Sequence, residues 1–100
     1  LIVYQVTKKF PHEELYALSS QLKRAAYSVL ANIAEGNERK GIKDSLNFFS
    51  IARGSLVELD CLLELALDLH YLKEDDYSHC LEKINKVGYL LSHFIQSQES

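Results

Sequence analysis

Phe49-Ser50-Ile51-Ala52-Arg53-Gly54-Ser55-Leu56-Val57-Glu58-Leu59-Asp60-Cys61-Leu62-Leu63-Glu64-Leu65-Ala66 is the stretch that decides the fold. Phe49, Ala52, Leu56, Leu59, Leu63 and Ala66 recur at steps of three and four, which lines one face of an α-helix. Leu62, Leu65, Leu67 and Leu69 add apolar surface on other sides of the same segment. A helix apolar nearly all round has a second surface to bury, in the core or against a partner.

Working outward, the chain is punctuated at Phe10-Pro11, at Gly36 through Gly41, and at Tyr71-Leu72-Lys73-Glu74-Asp75-Asp76. Four segments result, each with helical periodicity. The second carries Leu15, Leu18, Leu22, Ala25, Val29 and Ile33, entered through Pro11 with Glu13 and Glu14 at the positive end of its dipole and ended by Gly36. The fourth carries Tyr77, Leu81, Ile84, Val87, Leu91 and Phe94 behind Asp75 and Asp76. Segments two to four predict helices of roughly 35–40 Å, whereas Leu1 to Lys9 would span only about 13 Å. Helices of an up-down bundle match in length. The expectation is therefore an all-α, antiparallel up-down four-helix bundle, a single domain over residues 1–100. Its first helix would be truncated here, extending upstream by about ten residues, since the chain starts at Leu1 and holds no Met.

Composition agrees. Pro occurs once and Gly four times in 100 residues, too few turn residues for a sandwich or barrel. No apolar run reaches the ~18 residues of a membrane span and no signal peptide is visible, so a cytoplasmic location is the default expectation. Cys61 and Cys80 form no CxxC, and each lies within an apolar periodic run; two buried thiols are expected.

No catalytic signature emerges. A di-metal bundle needs Glu-x-x-His on two helices, and the nearest echo is one Asp76-x-x-His79. His12, His70 and His93 read as partly exposed surface imidazoles. GxSxG, P-loop and GxGxxG patterns are missing. Glu13-Glu14 and Asp75-Asp76 are adjacent pairs that point apart on a helix. Neither an enzyme, a cofactor, a metal nor a small-molecule substrate is expected.

Gln21-Leu22-Lys23-Arg24-Ala25-Ala26, Ser28, Asn32-Ile33-Ala34-Glu35-Gly36 and Phe48-Phe49-Ser50-Ile51-Ala52-Arg53-Gly54-Ser55-Leu56-Val57-Glu58-Leu59 together resemble the four-helix bundle proteins, also called the 23S rRNA intervening-sequence protein family. The resemblance runs from about Val3 to Phe94. It implies an antiparallel four-helix subunit that assembles into a five-membered ring, with no established catalytic activity. A related branch, the accessory proteins of diversity-generating retroelements, implies nucleic-acid binding through a basic ring surface. Two departures stand out. His70 occupies a place where the family often has Gly, so the third helix is expected to end differently. The net charge is −3, which removes most of that branch's basic surface.

Polar residues within these runs form a structural motif: Gln21, Arg24, Asn32, Glu35 and Glu58. A turn centred near Arg39 would set Arg24 against Gly54-Ser55, with Glu58 about one turn away and a charge-assisted Arg24–Glu58 contact expected. Small Gly54 and Ser55 would permit close helix approach there. Asn32 would fall opposite Leu46, near Asn47 and Ser50. The reading is that these groups fix helix register or pairing, with a binding site in the ring lumen as the functional alternative.

Charge is distributed unevenly. Residues 1–57 hold eight Lys/Arg against five Asp/Glu, while residues 58–76 hold Lys73 against seven acids. In an up-down bundle the turn with Arg39, Lys40 and Lys43 lies at one end and Glu74, Asp75 and Asp76 at the other. Repeated around a ring, Arg39, Lys40 and Lys43 would make a collar for RNA or DNA phosphates, because local field outweighs net charge. The plainer reading is a solvated turn offset by Glu35, Glu38 and Asp44. The functional expectation is thus a homo-oligomer, a pentamer by the resemblance, with a nucleic-acid or nucleoprotein accessory role. The alternative is a protein-binding scaffold with no nucleic-acid affinity.

Overall fold

A computed structural model describes residues 16–99, and these form three α-helices: α1 (Tyr16–Glu38), α2 (Ile42–Asp68) and α3 (Glu74–Glu99). The chain is all-α over this span. The expectations for Leu1 to Lys9, Pro11, His12, Glu13, Glu14 and Leu15 fall outside the described residues.

The periodic apolar stripes become the core. Leu22, Ala25 and Val29 of α1 are buried with Ala26; Phe49, Ala52, Leu56, Leu59, Leu63 and Ala66 of α2 are all buried. From α3 come Cys80, Ile84, Leu91 and Ile95. Phe94 departs from the sequence expectation and stays 55% exposed. Both 94 and 95 lie within four residues of Leu91, and packing selects Ile95 for the interior. Phe94 instead stacks on Phe49, ring centroids 6.1 Å apart. Cys61, expected buried, is exposed, because it sits on the side of α2 away from Leu59 and Leu63; both thiols are free. Burial pushes the Cys80 thiol above its ordinary pKa, with Asp76 adding to the shift.

α2 is the central helix. It packs along α1 on one side and α3 on the other, while α1 and α3 have no Cα atoms within 8 Å of one another. Short connections make each neighbouring pair antiparallel. The α1–α2 turn differs from expectation in a way that shifts the register. Gly36 does not end α1, which continues to Glu38, and no glycine has positive φ. The turn is Arg39 to Gly41, centred about one residue later than the sequence suggested.

The end of α2 is closed by a left-handed residue. His70 has φ 63°, the only non-glycine with positive φ among the described residues. Its N–H donates to the Leu67 carbonyl (3.0 Å), and the Tyr71 N–H donates to the Ala66 carbonyl (3.0 Å), so two carbonyls orphaned by the helix end are satisfied. Leu72 then turns inward and is 5% exposed. The helix therefore ends as a glycine would end it, contrary to the expectation raised by His70. Tertiary closure over Leu72 holds an L-residue in a conformation that costs it roughly 1–2 kcal/mol. α3 begins with Glu74, Asp75 and Asp76 in its first turn, as its dipole favours.

His70→Gly should therefore stabilise the protein. Relief of the left-handed conformation outweighs the extra freedom glycine gives the unfolded chain, for a net gain on the order of 0.5–1 kcal/mol. Urea unfolding of the two proteins measures it; an unchanged or lower midpoint would show that His70 is unstrained.

Candidate functional site

The basic turn is built on close contact between the end of α1 and the start of α2. A Cβ on Gly36 would stand 2.5 Å from Cε1 and 2.8 Å from Cδ1 of Phe49, so only glycine lets the ring lie against the helix here. The Gly36 carbonyl accepts the Arg39 N–H (3.3 Å) and the Ser45 hydroxyl (2.9 Å). Ser45 thereby fastens the first turn of α2 to the last turn of α1.

Arg39, Lys40 and Lys43 are all brought to this end of the molecule, as expected, but they are not equivalent. The Arg39 guanidinium donates to Glu35 Oε2 at 2.8 Å and lies 4.7 Å from the centroid of the Phe48 ring. Both members of that ion pair are about half exposed, which makes it worth little in stability. It does orient the guanidinium. Lys40 and Lys43 are exposed and pair with no carboxylate among the described residues. Beside them is a cleft of about 300 Å³ bordered by Asn37, Arg39, Lys40, Ile42 and Phe94. Gly41 caps α2 and makes no side-chain hydrogen bond to the N–H groups of the first turn.

The polar motif of the recognised runs divides. Ser28 and Ser55 meet across α1 and α2, their hydroxyls 2.8 Å apart. Asn32 Nδ2 donates to the Ser28 carbonyl (2.8 Å) and reaches the Ser28 hydroxyl at 3.2 Å. This half-buried cluster is the polar layer, and exposed Asn47 and Ser50 take no part in it. Gln21, Arg24 and Glu58 are exposed, and the expected Arg24–Glu58 ion pair is not formed among the described residues. The cause is geometric: each lies outside the seam that Ser28 and Ser55 bridge. Glu35 acts through Arg39. Gly54, expected to bring helices together, is exposed and has nothing within 4 Å of where its Cβ would be.

Sequence reasoning missed Ser45 and Asp60, and named Ser55 only as a small residue permitting close helix approach. Turn position alone does not give its pairing, since a centre at Lys40 would set Ser28 against Ala52. Asp60 carries a buried Oδ1 with no hydrogen-bond partner among the described residues. Tyr77 has its pKa raised, first by burial and then by the charges of Asp60, Glu64 and Asp68, which places an acidic row of α2 near the start of α3. Among the described residues no group of His, Cys, Asp and Glu is arranged to hold a metal, and no helix is long and apolar enough to cross a membrane.

Comparison with known proteins follows the same lines. The family model described as 23S rRNA-intervening sequence protein matches residues 1–93. Among solved structures, the chain is similar to a protein of unknown function from the S23 ribosomal protein family of Bacteroides thetaiotaomicron VPI-5482. The TM-score is 0.86 at 24% identity, over 93% of this chain and 87% of that one, a likeness that carries the fold alone. No curated protein matches the sequence.

Gly36→Ala tests the contact on which the turn rests. Overpacking against Phe49 costs about 1–3 kcal/mol and better helix propensity returns about 1, so a net loss on the order of 1 kcal/mol is expected. In a Phe49→Leu background the same substitution should cost less, because the clash is gone. Stabilisation by Gly36→Ala in the native background would overturn the account.

Proposed function

The chain belongs to the 23S rRNA-intervening sequence protein family, and from that premise we propose a non-enzymatic, ring-forming helical bundle that engages RNA or DNA phosphates. It is a cytoplasmic nucleic-acid or nucleoprotein accessory protein, without a cofactor. The bundle is the antiparallel four-helix kind. Supporting this, α1 and α3 both flank α2 without meeting, an arrangement that leaves a corner for one more helix.

The observation that carries the phosphate reading is the unpaired Lys40 and Lys43 beside the α2 N-terminus, where Gly41 supplies no capping side chain. Backbone N–H groups and the helix dipole favour an anion there. Arg39, pre-oriented by Glu35 and Phe48, flanks the same cleft. Glu35, Glu38 and Asp44 offset the charge, so the affinity of one subunit is low and repetition around a ring supplies the rest.

Self-association has its own support. Ile51 (45%), Val57 (61%) and Leu65 (46%) are exposed on α2, together with Gly54 and Cys61. Residues 51, 54, 57, 61 and 65 fall at three-four spacing on the side away from the core, a second apolar face. The same face favours the alternative, a protein-binding scaffold with no nucleic-acid affinity, should the lysines prove idle.

Binding of RNA and DNA across a salt series tests the first claim. Affinity should weaken steeply as salt rises, with a slope of about −0.9 per neutralised phosphate on duplex DNA, and Arg39→Glu/Lys40→Glu/Lys43→Glu should abolish it. No binding at low salt, or binding indifferent to the triple substitution, would favour the scaffold. Mass in solution tests assembly separately: a pentamer would weigh five times the 11.4 kDa chain. Val57→Glu should shift it toward monomer, and a native protein that stays monomeric at micromolar concentration would refute the ring.

A further inference from the structure

Apart from the basic turn, α2 and α3 border a shallow, open groove of about 500 Å³ lined by Arg53, Leu56, Val57, Asp60, Ile84, Asn85, Gly88, Tyr89 and Ser92. That volume lies within the range of small-molecule sites. Its layout follows from the antiparallel pairing, in which Phe49 lies by Phe94 and Gly88 against Leu56. Continuing that register puts Asp60 beside Asn85 at one end and Arg53 beside Ser92 at the other. Between them are buried Leu56 and Ile84, flanked by exposed Val57 and Tyr89. A side chain at 88 would crowd Leu56, its Cβ 3.2 Å from Leu56 Cδ2, so glycine keeps the middle of the groove open.

The two ends carry opposite, uncompensated charges. One Asp60 oxygen is buried without a hydrogen-bond partner among the described residues, a costly state for a carboxylate unless something else satisfies it. Arg53 is exposed and pairs with no carboxylate among the described residues. The two residues are seven apart on one helix, about 10 Å along its axis, so they do not neutralise one another.

We propose that this groove binds a linear ω-amino carboxylate, its ammonium at Asp60 and Asn85, its carboxylate at Arg53 and Ser92, and its methylene chain over Leu56 and Ile84. Charge complementarity at both ends and an apolar middle select that class over a simple amine, which leaves Arg53 unmet. They also disfavour a diamine, whose second cation would meet Arg53. The site is independent of the nucleic-acid reading but shares Val57 with the face proposed for self-association, and it modifies the expectation that no small molecule is bound.

The test uses the full chain and 8-aminooctanoate, whose extended length matches the separation of the charges. Titration followed by methyl and amide NMR should show saturable shifts at Val57, Ile84 and Leu56, with Kd about millimolar. Octylamine and octanoate should each bind about tenfold more weakly or not at all, since each loses one ion pair. Asp60→Asn and Arg53→Gln, checked for folding by circular dichroism, should each weaken 8-aminooctanoate by a similar factor. Equal binding of octylamine, or affinity unchanged in both variants, would overturn the assignment. So would shifts absent from the groove together with a change of oligomeric mass in the two variants, which would assign the groove to a second copy of the chain.

Discussion

Everything at the basic end of the molecule depends on the ring of Phe49 lying where a Gly36 side chain would be. That contact sets how closely α1 approaches α2 and at what height. From it follows the reach of Ser45 back to the Gly36 carbonyl, which fastens the turn. Two turns further along, the same register brings Ser28 against Ser55, with Asn32 completing the cluster. A half-buried hydroxyl pair contributes little net stability, about 1 kcal/mol, yet it penalises any slipped register that would leave the hydroxyls unsatisfied. Steric fit at Gly36 and polar fit at Ser28 thus specify one alignment by different means. The charges carried on the turn inherit their positions from both.

How far this was legible depends on whether a feature is local. The six-residue stripe of α2 was readable in full, because burial of one face is written in the spacing of that segment alone. The end of α1 was not. A glycine near a helix end reads equally as a terminator or as a gap for a neighbour, and its neighbour here is 13 residues away on another helix. Mistaking one for the other moved the turn; the Arg24–Glu58 pair fails for a different reason, since the Ser28–Ser55 register sets the two level and both are exposed outside the seam. His70 shows the converse failure. The strain of an L-residue in the left-handed region is small enough for burial of Leu72 and two backbone hydrogen bonds to outweigh it. Composition at position 70 therefore did not reveal the geometry. Phe94 against Ile95 is a matter of phase: a period of 3.6 leaves two candidates after Leu91, and only the packed interior decides.

Charge tells a similar story at the candidate site. The sequence placed Arg39, Lys40 and Lys43 at one end correctly, since that requires only a turn between two helices. It could not rank them. Glu35 is four residues before Arg39, a spacing that favours pairing on a helix, and the structure extends α1 far enough for the pair to form. Arg39 is thereby held by a carboxylate, while the two lysines have none among the described residues.

The polar residues of the recognised runs then sort by which way α1 and α2 turn them. Ser28, Asn32 and Ser55 lie in the seam and serve the subunit's own register. Arg24, Gly54 and Glu58 lie outside it and are exposed, and Arg24 and Glu58 form no ion pair among the described residues. A glycine in the middle of an exposed helix costs roughly 1 kcal/mol relative to alanine, and nothing inside the subunit repays that at Gly54. Exposed apolar residues scattered singly would need no explanation. Aligned at three-four spacing around an unhindered glycine, Ile51, Val57 and Leu65 form a second apolar face of α2. On the proposed assembly, α2 specifies the subunit with one face and the ring with the other.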